Sequence, residues 1–136
     1  MKREPAWLLR ETVLSVQHRQ LAEHGGPAGI RDEGLLDAAL ARPRQLWAYR
    51  RPRPDIASLG AAYAAGIIRG HPFIDGNKRT GYVACRLFLR LNGRDLKAGL
   101  TACYVAILGL ADGSLEEAAF ERWVRENSGK LLRAKR

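Results

Sequence analysis

Residues 69–80 read Arg-Gly-His-Pro-Phe-Ile-Asp-Gly-Asn-Lys-Arg-Thr and form the densest cluster of reactive side chains in the chain. The cluster separates two apolar stretches, 56–69 and 77–91, whose apolar residues recur with helical spacing. The first stretch is rich in Gly and Ala, which lets a neighbouring helix approach closely. The second is apolar around most of its circumference, which predicts a helix at the centre of a domain. Gly and Pro over 70–76 predict a loop that leads into this second helix.

The start of the second helix is suited to binding an anion. The first backbone N–H groups of a helix have no intrahelical acceptor, and the positive end of the helix dipole attracts negative charge. Lys78 and Arg79 occupy the first turn, where cations oppose the dipole. A bound phosphate would make the two cations favourable at this position. A departure from the residue preferences of a helix N-terminus is typical of a functional site.

His71 and Asp75 supply two further groups that phosphate-transfer chemistry needs. A histidine can accept a proton near neutral pH, so His71 is a candidate base for an attacking hydroxyl group. Asp75 is a candidate oxygen ligand for a Mg²⁺ that bridges phosphate oxygens. From the residues alone, a purely structural histidine in a loop is the alternative.

The run from His71 to Arg79, His-Pro-Phe-Ile-Asp-Gly-Asn-Lys-Arg, resembles the signature of the Fic/Doc family, and in particular its death-on-curing (Doc) toxin branch. Residues 29–43 resemble the upstream helix of the family, and residues 87–93 resemble the end of its central helix. The resemblance implies an all-α fold, a compact helical bundle in which a buried central helix follows the loop.

The resemblance also implies a role for each residue of the loop. His71 corresponds to the general base of the family and Asp75 to its Mg²⁺ ligand. Arg69 corresponds to a basic position that neutralises charge on the transferring group, and Phe73 corresponds to an anchor that packs the loop onto the core. The implied phosphate-binding residues are Gly76, Asn77, Lys78 and Arg79.

Lys78 separates two chemistries within the family. The broader Fic pattern has glycine here, which leaves room for the diphosphate of ATP in enzymes that transfer AMP. The Doc branch shares the lysine and binds ATP in the inverted sense, so the implied reaction is transfer of the γ-phosphate to a hydroxyl group. The implied protein is the toxin of a type II toxin–antitoxin system, with elongation factor Tu as target and a Phd-like antitoxin as partner. Transfer of AMP or of another phosphate-bearing group by the same residues is the alternative.

The chain has 136 residues, of which 46% are hydrophobic, and this predicts a single domain over residues 1–136. The net charge of +9 is concentrated in the segment 42–54 and in the tail 128–136. In the family, the first of these segments forms a flap that docks the target, and a solvated loop is the alternative. The candidate docking residues of the flap are Arg42, Arg44, Arg50, Arg51 and Arg53.

The sequence has neither a membrane-spanning apolar run nor an apolar leader at its start, which predicts a cytoplasmic protein. Cys85 and Cys103 are predicted to be reduced thiols in the core. A basic nucleic-acid-binding domain is an alternative function, although the local charge makes direct nucleic-acid binding the weaker hypothesis. A catalytically inactive protein that binds its antitoxin is another.

The rest of the chain is also predicted to be helical. Helices are expected over about 11–23, from Asp32 as N-cap to an interruption at Pro43, and over about 97–111. A last helix is expected to end near residue 127 and to open with a capping box formed by Ser114 and Glu117.

Overall fold

The computed structural model describes residues 3–132, which form six α-helices and one short two-stranded antiparallel sheet. The all-α prediction is confirmed; the small sheet, in which residues 94–96 pair with 128–130, was not predicted. No helix of the described part of the chain has the length and apolar character needed to cross a lipid bilayer. The elements are α1 (Arg10–His24), α2 (Glu33–Tyr49), α3 (Ile56–Gly70), α4 (Asn77–Leu91), β1 (Arg94–Leu96), α5 (Leu100–Asp112), α6 (Glu117–Glu126) and β2 (Ser128–Lys130).

Helices α3 and α4 form the centre of the molecule. Eleven of the fifteen residues of α3 are buried, against seven of fifteen in α4. The small residues of these helices allow the close approach that the sequence indicates. A β-carbon on Gly66 would lie 3.0 Å from the backbone of Ala39 in α2, and one on Gly81 would lie 2.6 Å from the side chain of Ile68 in α3. Helix α3 therefore packs tightly between α2 and α4.

Two hydrophobic clusters lie on either side of α3. One joins α3 and α4 to α5 and α6, and it contains both Cys85 and Cys103 as buried free thiols. Burial raises the pKa of Cys85 to about 12, which keeps this thiol protonated and unreactive. The other cluster joins α1, α2, α3 and α4 around Tyr63 and Phe88, and it includes the fully buried Phe73 from the loop before α4. The loop is thus attached to the core by its own aromatic side chain.

Helix α2 runs through Pro43, so the prediction that the helix stops there is wrong. The buried residues Leu36, Ala39, Pro43 and Trp47 recur every three or four positions along one face. Packing of this face stabilises the helix despite the hydrogen bond that proline cannot donate. The irregular segment predicted over 42–54 is correspondingly shorter and begins after Tyr49.

The arginines assigned to the flap are largely engaged within the fold. Arg42 forms an ion pair with Glu117 at 2.6 Å, and Arg50 pairs with Glu121 at 3.0 Å, so both link this region to α6. The remaining three contact nearby groups: Arg44 lies over the ring of Trp7, Arg53 over the ring of Trp47, and Arg51 donates to the carbonyl oxygen of Arg50.

Three boundaries in the C-terminal third differ from the prediction. Helix α5 begins at Leu100 rather than near Lys97. The capping box is wrong, because Glu116 is the N-cap of α6 and makes no side-chain cap hydrogen bond. The predicted basic tail 128–136 begins with strand β2, and its residues 133–136 lie outside the described part of the chain.

Asp55 connects helices α3 and α6 through hydrogen bonds of its carboxylate. Its Oδ1 accepts hydrogen bonds from the backbone N–H and the hydroxyl of Ser58, each at 2.8 Å, and so caps α3. Its Oδ2 accepts from Nε of Arg125 in α6 at 2.8 Å. Burial alone would raise the pKa of Asp55, but the hydrogen bonds from Arg125 and Ser58 outweigh it and hold the pKa well below its ordinary value.

Asp55→Ala is expected to lower the free energy of unfolding by about 1–2 kcal/mol at neutral pH, measured by urea denaturation. Because the folded-state pKa is depressed, this contribution is present above about pH 4 and is lost as the pH falls further. The difference between the wild type and the variant should therefore shrink in acid. Asp37→Ala is the matched control, since its exposed ion pair with Arg10 is worth less than about 1 kcal/mol. An equal loss in both variants would contradict the assignment.

Candidate active site

His71 ends α3 in a conformation that exposes one nitrogen of its ring. The residue has φ 53° and ψ 52°, in the left-handed region, and its backbone N–H donates to the carbonyl oxygen of Ile67 at 3.1 Å. Its Nδ1 lies 2.9 Å from the carbonyl oxygen of Ile68. Because a carbonyl oxygen can only accept, Nδ1 carries the proton of the neutral ring and Nε2 is left as an acceptor. This is the tautomer that a general base requires.

Helix α4 begins immediately after the loop and presents a free N-terminus. Gly76 is the N-cap with φ 79°, and no side chain caps the helix among the described residues. The backbone N–H of Thr80 is the first to bond within the helix, to the carbonyl oxygen of Gly76 at 2.9 Å. The N–H groups of residues 77–79 are therefore left for another acceptor. The exposed side chains of Lys78 and Arg79 start at the same turn. An anion bound here can therefore accept hydrogen bonds from backbone N–H groups and from cationic side chains.

Asp75 is held at the entrance of α4 by contacts on three sides. Its Oδ1 accepts from the backbone N–H of Gly76 at 2.7 Å. Its carbonyl oxygen accepts from Nε2 of Gln17 in α1 at 3.3 Å, and Gln17 is 1% exposed. A β-carbon on Gly26 would lie 2.3 Å from Oδ2 of Asp75, so any larger residue there would displace this carboxylate from its present position. Oδ2 receives no hydrogen bond within residues 3–132.

Asn77 shapes the loop through its side chain. Its Oδ1 accepts from the backbone N–H of Phe73 and its Nδ2 donates to the carbonyl oxygen of the same residue, each at 3.0 Å. Asn77 is 5% exposed and Phe73 is fully buried. The Asn77 side chain is therefore occupied by the loop, and its backbone N–H is the group that remains for a phosphate.

A second segment pairs with the loop and fixes its position. The backbone N–H groups of Arg31 and Asp32 both donate to the carbonyl oxygen of Pro72, at 2.7 and 3.1 Å. The N–H of Ile74 donates to the carbonyl oxygen of Gly29 at 3.0 Å. These bonds form a short antiparallel bridge between residues 29–32 and 72–74. The side chain of Ile74 is 53% exposed, so of these two apolar side chains only that of Phe73 attaches the loop to the core.

A cavity of about 580 Å³ opens beside the loop. His71, Asp75, Lys78 and Arg79 form its polar end. Its other end is lined by residues of α4 and α5 that are mostly apolar: Tyr82, Leu100, Cys103, Tyr104, Ile107 and Leu108. A cavity of this size that combines a cationic end with an aromatic and aliphatic end fits a ligand that has both a phosphate group and a flat apolar part.

The polar end of this site, residues 71–79, falls within a segment, 7–89, that matches the family model described as the Fic/DOC family. The chain belongs to the Fic/Doc family. A protein named "Toxin Doc" from Mycolicibacterium smegmatis is 42% identical over 92 residues, which cover 68% of each chain. A protein named "Protein kinase doc" from Escherichia phage P1 is 30% identical over 111 residues, which cover 75% of this chain and 87% of that protein. Both relatives belong to the Doc branch, as the resemblance of the loop predicts.

Arg69, unlike the candidate catalytic residues His71 and Asp75, does not line this cavity of the Fic/Doc chain. Its Nε donates to the carbonyl oxygen of Leu110 at 3.1 Å, and its Nη2 donates to that of Leu115 at 2.9 Å. The guanidinium therefore ties α3 to the connection between α5 and α6. The role implied for it, to neutralise charge on a transferring group, stays a prediction.

The Fic/Doc site fits a Mg²⁺ that arrives with its substrate. Within residues 3–132 no three His, Cys, Asp or Glu side chains are grouped so that they could hold a metal ion. Asp75 nevertheless offers a carboxylate oxygen, Oδ2, at the polar end of the cavity. One carboxylate together with phosphate oxygens and water is a common coordination of Mg²⁺.

Sequence reasoning missed three residues that organise the site from outside the loop. Gln17 and Gly26 position Asp75, and Arg31 contacts the loop next to His71. The Gly25-Gly26 pair was visible in the sequence, but it indicated only the end of a helix. Gln17 is a polar residue at a core position of α1, which is the one signal that could have marked it.

Proposed function

We propose that this chain is the toxin of a type II toxin–antitoxin system and that it transfers the γ-phosphate of ATP to a hydroxyl group of a translation factor. One observation carries the proposal. His71, whose Nε2 is free, and the open N-terminus of α4, with Lys78 on its first turn, belong to one loop and line the same cavity. The names of the two relatives, a toxin and a protein kinase, support it.

In the proposed reaction, Nε2 of His71 accepts the proton of the target hydroxyl as its oxygen attacks the γ-phosphorus. The bond between that phosphorus and the oxygen bridging the β- and γ-phosphates breaks, and ADP leaves. The product is a phosphate ester of the target, and the proton on His71 passes to solvent. Because phosphoryl transfer depends mainly on positioning and charge neutralisation, a small site can support it.

The polar end of the cavity supplies the charge neutralisation. The backbone N–H groups of residues 77–79 and the cations of Lys78 and Arg79 hold the outermost phosphate in this proposal. Asp75 would hold a Mg²⁺ on the phosphate oxygens, and the ion would add Lewis-acid charge stabilisation. The apolar end offers a surface for the nucleoside, with Tyr82 and Tyr104 as its aromatic groups.

The proposal favours γ-phosphate transfer over AMP transfer because of Lys78. This side chain stands on the first turn of α4 and lines the cavity, where the AMP-transferring members of the family have glycine. A lysine there obstructs a diphosphate lying across the helix start and adds a positive charge for a terminal phosphate. AMP transfer would require a different placement of the nucleotide.

An antitoxin of the Phd type is the proposed partner. Leu100 and Tyr104 of α5 are 81% and 65% exposed and line the apolar end of the cavity. Lys78 and Arg79 lie at the cavity's other end. A helical segment with both apolar and acidic side chains complements this combination and would cover the site.

Elongation factor Tu is the proposed target, and this places the reaction in the cytoplasm. The test is incubation of the purified protein with elongation factor Tu, Mg²⁺ and ATP labelled on the γ-phosphate. Label is expected on a threonine of the factor, located by mass spectrometry. Label on a different protein of a cell lysate, with none on the factor, would overturn the target while leaving the chemistry in place.

A further inference from the structure

Arg31 uses two nitrogens of its guanidinium group to hold the backbone around His71. Its Nε donates to the carbonyl oxygen of His71 at 2.7 Å, and its Nη2 donates to the carbonyl oxygen of Gly70 at 3.0 Å. Its backbone N–H donates in addition to the carbonyl oxygen of Pro72 at 2.7 Å. One residue from before α2 therefore contacts three successive peptide units of the loop.

The two side-chain bonds lie on either side of the His71 α-carbon. The orientation of the Gly70 carbonyl changes with the φ angle of His71, and the orientation of the His71 carbonyl changes with its ψ angle. A planar guanidinium that binds both carbonyls fixes these two angles together. This matters because His71 is the only residue other than glycine with positive φ among residues 3–132, and a side chain held in that region returns to the ordinary regions unless it is restrained.

The position of the His71 ring depends on this restraint. The bond from Nδ1 to the carbonyl oxygen of Ile68 sets both the tautomer and the direction of Nε2. If φ and ψ of His71 relax, the ring leaves Ile68 and the proton is no longer confined to Nδ1. Arg31 does not line the cavity, so its guanidinium is not a phosphate ligand in this arrangement.

We infer that Arg31 is a positioning residue, which holds His71 in its left-handed conformation and thereby keeps Nε2 free and directed into the cavity. The inference rests on the proposed function for its kinetic consequence, but its structural consequence is measurable without any transfer reaction. It also explains why a cation stands next to the C-terminus of α3, where carbonyl groups and the negative end of the dipole favour one.

The test compares Arg31→Met and Arg31→Lys in the full chain. Methionine replaces the aliphatic part of the side chain and keeps the backbone bond to Pro72, but it removes both guanidinium bonds. Arg94→Met is the matched control, because Arg94 also donates two hydrogen bonds, to the carbonyl and hydroxyl oxygens of Ser128, at the far end of α4. Thermal unfolding of Arg31→Met and Arg94→Met is expected to differ little.

In the transfer assay, Arg31→Met is expected to lower kcat at least ~10-fold and to leave KM for ATP within about twofold. Arg31→Lys, whose ammonium group can satisfy one carbonyl but not both in the same geometry, is expected to recover part of the lost kcat. Arg94→Met should leave both constants unchanged. A rise in KM with kcat retained would overturn the inference.

The second readout is the ¹⁵N spectrum of the His71 imidazole, recorded above the ordinary histidine pKa of about 6.5. The wild type is expected to show the tautomer protonated at Nδ1, and Arg31→Met a mixture of tautomers. If the wild type transfers no phosphate, the proposed function is wrong, but the spectrum still shows whether Arg31 positions His71. If the spectrum does not change in Arg31→Met, the inference is overturned whatever the kinetics show, and the proposed function stands.

Discussion

His71→Ala is expected to lower the rate of γ-phosphate transfer by ~10²–10⁴-fold, which is the range that a general base contributes. The variant removes the only histidine that lines the cavity. It leaves the phosphate-binding N–H groups and Lys78 in place, so ATP binding should change little. The loss should therefore fall on kcat rather than on KM for ATP.

Initial rates of label transfer from γ-labelled ATP, with ATP binding followed by calorimetry, provide the measurement. His18→Ala is the matched control, because His18 is an exposed histidine of α1 away from the cavity, and full activity is expected. Retention of more than about a tenth of the wild-type rate by His71→Ala, with intact folding, would show that another group accepts the proton.

The second large effect is expected at Lys78. Lys78→Ala removes a charged hydrogen bond to the terminal phosphate, which is worth about 1.5–3 kcal/mol. This corresponds to a ~10- to 100-fold loss in kcat/KM for γ-phosphate transfer. Lys78→Arg keeps the charge and should retain more activity than Lys78→Ala.

Lys78→Gly also opens the space that the lysine occupies at the start of α4. This variant is expected to lose γ-phosphate transfer and to gain measurable transfer of label from the α-phosphate. The control is Arg90→Ala, which removes an exposed cation from the last turn of the same helix and should change neither reaction. Undiminished γ-phosphate transfer in Lys78→Gly would contradict the role assigned to the lysine.

The chemistry of the site was predictable from sequence because its parts are contiguous. His71, Asp75 and Lys78 lie within eight residues. The apolar pattern of the following stretch shows where the helix begins. The residues that fix this loop were not predictable. Gln17, Gly26 and Arg31 act on backbone groups or on a single carboxylate across the fold, and no local periodicity indicates such contacts.

Pro43 shows where local rules fail for the fold. Proline predicts the end of a helix, because it lacks an N–H donor and its ring crowds the preceding turn. In this chain the buried face that runs from Leu36 to Trp47 continues through it, and burial of that face outweighs the lost hydrogen bond. Residues 94–96 and 128–130 were missed for a related reason: three-residue strands of mixed polarity carry no period that separates them from a loop.

The number of arginines in the segment 42–54 overestimates the charge that is free to bind a partner. Its five arginines predict a docking patch, yet Arg42 and Arg50 are paired with glutamates of α6, and Arg44 and Arg53 lie on tryptophan rings. These contacts leave less free charge for a nucleic acid or an acidic target than the sequence indicates. Target docking at the flap stays a prediction.

The most direct test of the central claim, that the terminal phosphate of ATP is the group transferred beside His71, is the position of the label. Two parallel reactions contain the purified protein, Mg²⁺ and the target protein, one with ATP labelled on the γ-phosphorus and one with ATP labelled on the α-phosphorus. Label is expected on the target in the first reaction and not in the second. Label in the second reaction alone would contradict the claim and would assign the protein to AMP transfer.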